Sequence, residues 1–292
     1  MRVAGTDIGV RGADAPIVIK LEQLQRSGSF KARGAFANLL TRDVPRTGVI
    51  AASGGNHGVA VAYVAARLNM PARIFVPTVS DAEKVDRIRR LGADLVIEGE
   101  TYSDALEVAE GFAARSGALP IHAFDQYETI AGQGTLAVEL AEQARDVTTV
   151  LVPVGGGGLI AGIAAYFGDS VRVVGVEPDG APTLTRALAF GAPVDAPSGS
   201  VAADALAPRR VGELTFKLAT AFVDEVVLVD DEAIIDAQRA LWEQLRVIAE
   251  PAAAVCVAAL RVGAYRPDPK ERVAVVITGA NTVAHRGTTP AC

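Results

Sequence analysis

SGSFKARG (residues 27–34) lies where an extended segment gives way to a helix. The apolar run Ile17–Leu21 before it is typical of a strand, and apolar residues recur at helical spacing after it. This order predicts that Lys31 lies at a strand-to-helix junction, facing a site instead of open solvent. Most lysines are nevertheless exposed, so Lys31 alone does not indicate a site.

A second polar segment strengthens the case for a site. Ser53-Gly54-Gly55-Asn56-His57-Gly58 follows an apolar run and precedes a helical stretch at 59–68. Small residues let backbone amides approach an anion at the start of a helix, and an asparagine amide both donates and accepts hydrogen bonds. A structural turn would explain the glycines but not the adjoining Ser53, Asn56 and His57.

A run of four glycines is the third signal. Gly155-Gly156-Gly157-Gly158 separates the strand-like segment 150–154 from a helix that we expect to open at Leu159. Consecutive glycines carry an entropic cost, and we expect no packing role for them here, so they predict a backbone cradle for a phosphate. The stretch Gly156 to Ala161, with Glu177 about 20 residues further on, also matches a dinucleotide fingerprint. A dinucleotide-dependent oxidoreductase is therefore an open alternative.

The remaining pattern concerns the fold. Strand-like and helix-like stretches alternate, which predicts an α/β fold with mostly parallel sheets flanked by helices. Thr278-Gly279-Ala280-Asn281 follows an apolar strand, and its hydroxyl lies where open α/β sheets place ligands. Besides Ile17–Leu21, the candidate strands are 48–52, 73–76, 94–98, 120–122, 148–154, 171–176, 225–229 and 273–277.

Taken in order, the motifs SFKxRG, SGGNHG, GGGG and TGAN resemble those of pyridoxal-phosphate enzymes with the tryptophan-synthase β fold, fold type II. Within that type they are most similar to the serine/threonine dehydratase and serine racemase group. The resemblance implies a large domain of residues 1–44 plus 126–292 and an inserted small domain of residues 45–125. It also implies pyridoxal 5'-phosphate in the cleft between them, and a homodimer.

The same resemblance implies roles for individual residues. Lys31 would attach the cofactor and then remove the Cα proton of the substrate. The reaction would be β-elimination from a 3-hydroxy amino acid, L-threonine or L-serine, which gives 2-oxobutyrate or pyruvate plus ammonia. Further cofactor contacts would be Phe30, Asn56 at the ring hydroxyl, Gly155, Gly156, Gly157, Gly158, Leu159, Glu250, and Thr278 at the pyridine nitrogen. The substrate carboxylate would bind at Ser53, Gly54, Gly55, Asn56 and His57, with a purely packing role as the alternative for His57.

Three departures from the group pattern affect the expected function. Gly54 stands where its racemases have a serine acid/base, so racemisation should be slow. Counting from Glu177 to the group's cation ligands gives Ala181 and then Thr183 instead of an acid, so we expect no tightly bound divalent metal, and Glu177 and Ala181 are weak candidates only. Ala205 replaces a usual glycine, which suggests a 3-hydroxy amino acid other than serine or threonine, such as a hydroxyaspartate. The alternatives within the group are therefore a hydroxyaspartate dehydratase and, independently of Ala205, an amino-acid racemase.

Composition narrows the class of protein. The chain has 292 residues, half of them hydrophobic, and a net charge of -6, which argues against nucleic acid or an anionic membrane as partners. The N-terminal residues through Asp14 lack the apolar core of a signal peptide, and two cysteines, Cys256 and Cys292, suggest neither disulfides nor a zinc site. We therefore expect a cytoplasmic enzyme acting on a small amino acid. A non-catalytic binding protein with the same fold is the remaining alternative.

Overall fold

The computed structural model describes residues 1–10, 16–80 and 82–282, so Cys292 lies outside the described part of the chain. Its strands are β1 (Arg2–Val3), β2 (Ile17–Leu21), β3 (Val49–Ala52), β4 (Ala72–Val76), β5 (Asp94–Ile97), β6 (Leu119–Pro120), β7 (Thr149–Pro153), β8 (Arg172–Pro178), β9 (Glu225–Val229) and β10 (Val273–Ile277). Its α-helices are α1 (Lys31–Thr41), α2 (Asn56–Arg67), α3 (Ala82–Arg90), α4 (Tyr102–Ser116), α5 (Tyr127–Gln143), α6 (Gly158–Phe167), α7 (Thr183–Phe190), α8 (Ala203–Leu206), α9 (Glu213–Phe222), α10 (Asp231–Leu245) and α11 (Pro251–Val262).

The larger sheet has six strands in the order β1-β2-β10-β7-β8-β9. Only β1 runs antiparallel to its neighbour among these pairings. The central strands are continuous apolar runs because helices cover both faces of the sheet. The predicted α/β fold with mostly parallel, helix-flanked sheets is confirmed. Strand β1 was not predicted, since two residues are too few to show a periodic pattern.

A second sheet has four strands, all parallel, in the order β5-β4-β3-β6. Its strands lie between residues 49 and 120, inside the segment 45–125 expected to form a small domain. The limits of that domain stay a prediction. Both sheets place the motif segments after the carboxyl ends of their strands, the edge at which open α/β sheets bind ligands.

Two helices begin earlier than the sequence pattern indicates. Helix α2 begins at Asn56 instead of residue 59, and α6 begins at Gly158 instead of Leu159. Apolar periodicity marks only the part of a helix that packs on the core, whereas residues of the first turn carry unpaired N–H groups that face solvent or a ligand. Asn56 and His57 therefore lie in a first helical turn, not in a loop.

Helix α5 packs between α1 and α6 through glycines. A Cβ atom at Gly132 would lie 2.7 Å from the backbone oxygen of Arg33 in α1. On the other side of α5, a Cβ at Gly134 would lie 2.9 Å from the backbone oxygen of Gly162 in α6. Real Cβ atoms require more room than this, so both crossings bring backbone against backbone.

A buried ionic cluster anchors the start of α1. The guanidinium of Arg33 donates two hydrogen bonds to Glu22, at 2.7 and 2.8 Å, and two to Glu139, at 2.9 and 2.7 Å. Lys20 in β2 donates to Glu139 at 2.5 Å. Hydrogen bonding to Arg33 lowers the pKa of Glu139 to about 2, which keeps this carboxylate charged. The cluster ties the helix that begins at Lys31 to β2 and to α5.

Candidate active site

Lys31 is the first residue of α1 and its amine points toward the second sheet. Its Nζ donates a hydrogen bond of 2.7 Å to the backbone oxygen of Ala123. Burial disfavours the ammonium form and lowers the pKa of Lys31 to about 8, although the negative charge of Glu250 opposes this. A larger fraction of this amine is thus neutral near physiological pH than of an exposed lysine.

The loop before Lys31 is paired with the end of β10. Phe30 N–H donates to the oxygen of Thr278 at 3.0 Å, and Ala280 N–H donates to the oxygen of Gly28 at 3.0 Å. Glu250, at the start of α11, donates its own N–H to Gly279 at 3.0 Å. Three segments that are far apart in sequence, the SFK and TGAN motifs and the start of α11 at Glu250, therefore form one side of the site.

Asn56, which follows strand β3 of the second sheet, is hydrogen-bonded to this side of the site. Its Nδ2 donates to Oε1 of Glu250 at 2.7 Å, and its Oδ1 accepts from Nδ2 of Asn281 at 2.6 Å. Burial raises the pKa of Glu250 to about 7, and Oε2 of this residue has no hydrogen-bond partner among the described residues. Asn56 is thus held between the ends of α11 and β10.

The rest of the SGGNHG segment is held by local bonds. Nε2 of His57 lies 2.9 Å from the backbone oxygen of Ile121, and burial lowers the pKa of His57 to about 3, so the imidazole is neutral. Ser53 Oγ accepts from Gly55 N–H at 3.2 Å. A Cβ at Gly54 would overlap the hydroxyl of Ser80. His57 therefore has a hydrogen-bond partner within the protein, and both roles considered for this residue stay predictions.

The glycine run has a packing role, contrary to the expectation from sequence. A Cβ at Gly156 would overlap the ring of Phe124, and one at Gly158 would lie 2.8 Å from the backbone oxygen of that residue. Gly155 lies against Leu206, and Gly157 has a φ of 89°, which disfavours other residues. The expectation was wrong because the partners come from residues 124 and 206, which sequence spacing does not bring near the loop.

The same run also leaves a series of backbone N–H groups without acceptors. None of the backbone N–H groups from Gly155 to Leu159 donates a hydrogen bond to another group in the described part of the chain. They lie at and just before the first turn of α6, where the helix dipole favours an anion. Phe124, which packs on this loop, directly follows the residue that accepts from Lys31. An amine that contacts Ala123 and unpaired backbone N–H groups beside Phe124 fit the aldehyde and the phosphate of pyridoxal 5'-phosphate.

Glu177 and Ala181, the weak metal candidates, have structural roles. The Glu177 carboxylate accepts from the N–H groups of Leu184 and Thr185, at 2.7 and 2.9 Å, and from the Thr185 hydroxyl at 2.7 Å. Ala181 is fully buried and its oxygen accepts from Thr183 N–H. Glu177 therefore caps α7, and its oxygens are not free for a ribose hydroxyl, which removes the acidic residue from the dinucleotide fingerprint.

Two cations of α3 contact residues of the site region, although lysine and arginine side chains are mostly exposed. Arg87 donates to Ser27 O at 3.0 Å and also to Oδ1 of Asn281. Lys84 is paired with Asp204 of α8. The two residues are three apart and so share one face of the helix, which was the available signal. Their partners lie on segments distant in sequence, so the pattern could not identify them.

Comparison with known proteins agrees with this geometry. The family model described as pyridoxal-phosphate dependent enzyme matches residues 7–279. L-threonine ammonia-lyase of Thermotoga maritima is 40% identical over 271 residues, which cover 91% of this chain and 67% of that protein. L-threonine dehydratase biosynthetic IlvA of Escherichia coli is 38% identical over 93% of this chain, which spans 54% of that protein. The solved structure of maize serine racemase superposes with a TM-score of 0.88 at 30% identity, covering 97% of this chain and 88% of the maize chain.

Proposed function

This chain belongs to the family of pyridoxal-phosphate-dependent enzymes, and from that membership we propose that it is an ammonia-lyase. Its substrate is a 3-hydroxy amino acid, L-threonine or L-serine, and its reaction is β-elimination of the hydroxyl group. The products are 2-oxobutyrate or pyruvate, together with ammonia. The observation that carries the proposal is the amine of Lys31, with its lowered pKa and its hydrogen bond to Ala123, next to the residue Phe124 on which the glycine run packs.

Pyridoxal phosphate, when bound, supplies a ring that withdraws electrons from the Cα of the substrate. The chain holds the cofactor and moves protons. Lys31 would attach the cofactor and remove the Cα proton, for which a pKa of about 8 suits it, since a general base works best with a pKa near the working pH. Ala123 orients the amine by accepting its hydrogen bond.

The remaining cofactor residues divide by the part of the molecule they would hold. The N–H groups from Gly155 to Leu159 would bind the phosphate, with Phe30, Asn56 and Glu250 around the ring. Thr278 would lie at the pyridine nitrogen. A hydroxyl holds a proton on that nitrogen less firmly than a carboxylate does, which favours prompt elimination over a persistent negative charge at Cα.

The substrate carboxylate would bind at Ser53 to His57. The backbone N–H groups of residues 56–58 open α2 and donate no hydrogen bond within the described part of the chain. A helix start of this kind binds carboxylates. Because His57 is neutral, it adds no positive charge, and the affinity for the carboxylate comes from the backbone.

At the level of the whole protein, we propose a cleft between a small domain at 45–125 and the rest of the chain, a homodimer, and a cytoplasmic location. Two separate sheets, one mostly and one entirely parallel, support the two domains. Within the described residues, no helix has the length and apolar character needed to cross a membrane. Sedimentation velocity of the purified chain tests the dimer.

The function is tested by reconstituting the purified chain with pyridoxal phosphate and measuring 2-oxoacid release from L-threonine and L-serine. We expect a visible absorption band that changes as 2-oxoacid forms. Lys31→Ala should lower turnover at least about a thousandfold, because it removes both the attachment point and the base. Its far-UV circular dichroism should match that of the unchanged chain.

Lys217→Ala, on the outer helix α9, is the matched control and should keep full turnover. Turnover by Lys31→Ala close to that of the unchanged chain would contradict the assignment of this lysine. A cofactor band with no 2-oxoacid from either substrate would contradict the proposed reaction.

A further inference from the structure

Four polar side chains form a continuous hydrogen-bonded chain between α3 and α11. Arg87 donates to Oδ1 of Asn281, Asn281 donates to Oδ1 of Asn56 at 2.6 Å, and Asn56 donates to Oε1 of Glu250 at 2.7 Å. Asn281 also donates to the backbone oxygen of Ser27 at 3.1 Å. This hydrogen-bonded series of side chains connects the second sheet to the loop that carries Lys31.

Arg87 and Glu250, at the two ends of this hydrogen-bonded series, fix the orientation of the Asn281 and Asn56 side-chain amides between them. A guanidinium only donates hydrogen bonds, so the end of Asn281 that faces Arg87 must be its oxygen. The NH₂ end of Asn281 then faces two acceptors, Ser27 O and the side chain of Asn56. Asn56 must therefore present its oxygen to Asn281 and its NH₂ to Glu250, which accepts through Oε1 in either protonation state.

One of the two N–H donors of Asn56 Nδ2 has no acceptor in the described part of the chain. An amide nitrogen carries two hydrogens, and Glu250 is its single partner in the described part of the chain. Both Asn56 and Glu250 are buried, 8% and 4% exposed, so water does not readily compensate an unused donor. The oxygen of Asn56, in contrast, is already occupied by Asn281.

We propose that Asn281 is a positioning residue, which, oriented by Arg87, turns the Asn56 amide so that it can only donate a hydrogen bond to the bound cofactor. The proposal rests on the proposed function, because it assumes that pyridoxal phosphate binds beside Asn56. A donor at this point favours an anionic ring oxygen over a protonated one and lowers the pH at which that oxygen loses its proton. The α3 helix thus acts on the cofactor through two asparagines without touching it.

The test uses Asn281→Asp, which has nearly the same shape but replaces the NH₂ group by an acceptor. Arg87 can still donate to the aspartate, whereas the hydrogen bonds that Asn281 donates to Asn56 and Ser27 are lost. The carboxylate at position 281 accepts hydrogen bonds, so it favours the Asn56 orientation in which NH₂ faces position 281. We expect the dissociation constant for pyridoxal phosphate to rise about tenfold and the pH midpoint of the visible band to rise by about one unit. Asn69→Asp, the same change at an exposed position, should alter neither value.

Arg87 provides a second series in case Asn281→Asp does not fold. Arg87→Lys keeps a group that only donates and should retain the midpoint of the unchanged chain. Arg87→Glu offers only acceptors, reverses the orientation rule, and should raise the midpoint as Asn281→Asp does. Arg90→Glu, an exposed position on the same helix, controls for the change of charge.

The outcomes separate the two proposals. If the unchanged chain binds pyridoxal phosphate and both Asn281→Asp and Arg87→Glu keep its band midpoint and affinity, the positioning role is overturned and the proposed function stands. If Arg87→Lys shifts the midpoint as far as Arg87→Glu, the role of donor direction is overturned. If the unchanged chain binds no pyridoxal phosphate, the proposed function fails, and the positioning role fails with it.

Discussion

Glu250 shows how one buried side chain responds to its surroundings. Loss of water raises its pKa to about 7, while Lys84 and the hydrogen bond from Asn56 pull the pKa down and Asp204 pushes it up. Lys31, another titratable group of the site, is shifted the opposite way for the same reason, because burial penalises charge of either sign. At neutral pH, Glu250 and Lys31 therefore each carry less charge than an exposed glutamate or lysine does.

The raised pKa of Glu250 makes stability depend on pH. Because the folded state binds the proton more tightly than the unfolded state, with a pKa of about 7 against 4.5, the free energy of unfolding falls as pH rises through that interval. We expect the cofactor-free chain to lose about 2 kcal/mol from this group between about pH 5 and about pH 8. Glu250→Gln should remove this part of the pH dependence in urea unfolding. Equal slopes for both proteins would contradict the assignment.

Gly54 and Ser80 form a testable pair at the same scale. A serine side chain at position 54 would collide with the Ser80 hydroxyl, so Gly54→Ser should destabilise the chain by about 1 to 3 kcal/mol. Ser80→Gly should recover much of that loss in the double variant, with a coupling energy of about 1 kcal/mol in urea unfolding. Additive effects of the two changes would show that the side chains do not meet.

At the scale of elements, Gly156, which lies just before α6, has to be a glycine because the ring of Phe124 packs against it. Gly156→Ala places a methyl group where the Phe124 ring lies, and the ring must move away from the cradle. We expect a loss of about 1 to 3 kcal/mol in the free energy of unfolding, together with weaker cofactor binding in an absorption titration. Gly199→Ala, at a position with no atom near the added methyl group, is the control and should change neither. If Gly156→Ala changed neither value, the Phe124 ring would be able to move without loss of stability or of cofactor binding.

The elements also show what the sequence could and could not predict. Strands β9 and β10 have the predicted limits, because continuous apolar runs bounded by polar residues mark both ends. The motifs located Lys31, Asn56 and the glycine run, but the partners of these residues come from other segments. Arg87 illustrates the limit: its charge predicts a solvated face, and only the tertiary fold places Asn281 within its reach.

At the scale of the whole molecule, α3 joins the two sheets. Lys84 on this helix pairs with Asp204, whose side chain is 60% exposed, so solvent weakens the pair. Asp204→Asn should therefore speed backbone hydrogen exchange in residues 82–90 only about two- to fivefold. Asp195→Asn, which breaks an exposed pair with Arg209 and Arg210, is the control and should leave these amides unchanged. Equal acceleration in β10 would indicate global destabilisation instead.

The glycine crossings of α5 have a consequence for engineering of this protein. The separation between the helix that carries Lys31 and the helix that opens at Gly158 is set by main-chain thickness, at Gly132 on one side and Gly134 on the other. Replacing side chains elsewhere on these three helices cannot narrow that gap, and adding any at the crossings can only widen it. Libraries that aim at a new substrate range should therefore leave this frame intact and vary side chains beside the SGGNHG segment, such as Ser80 next to Gly54.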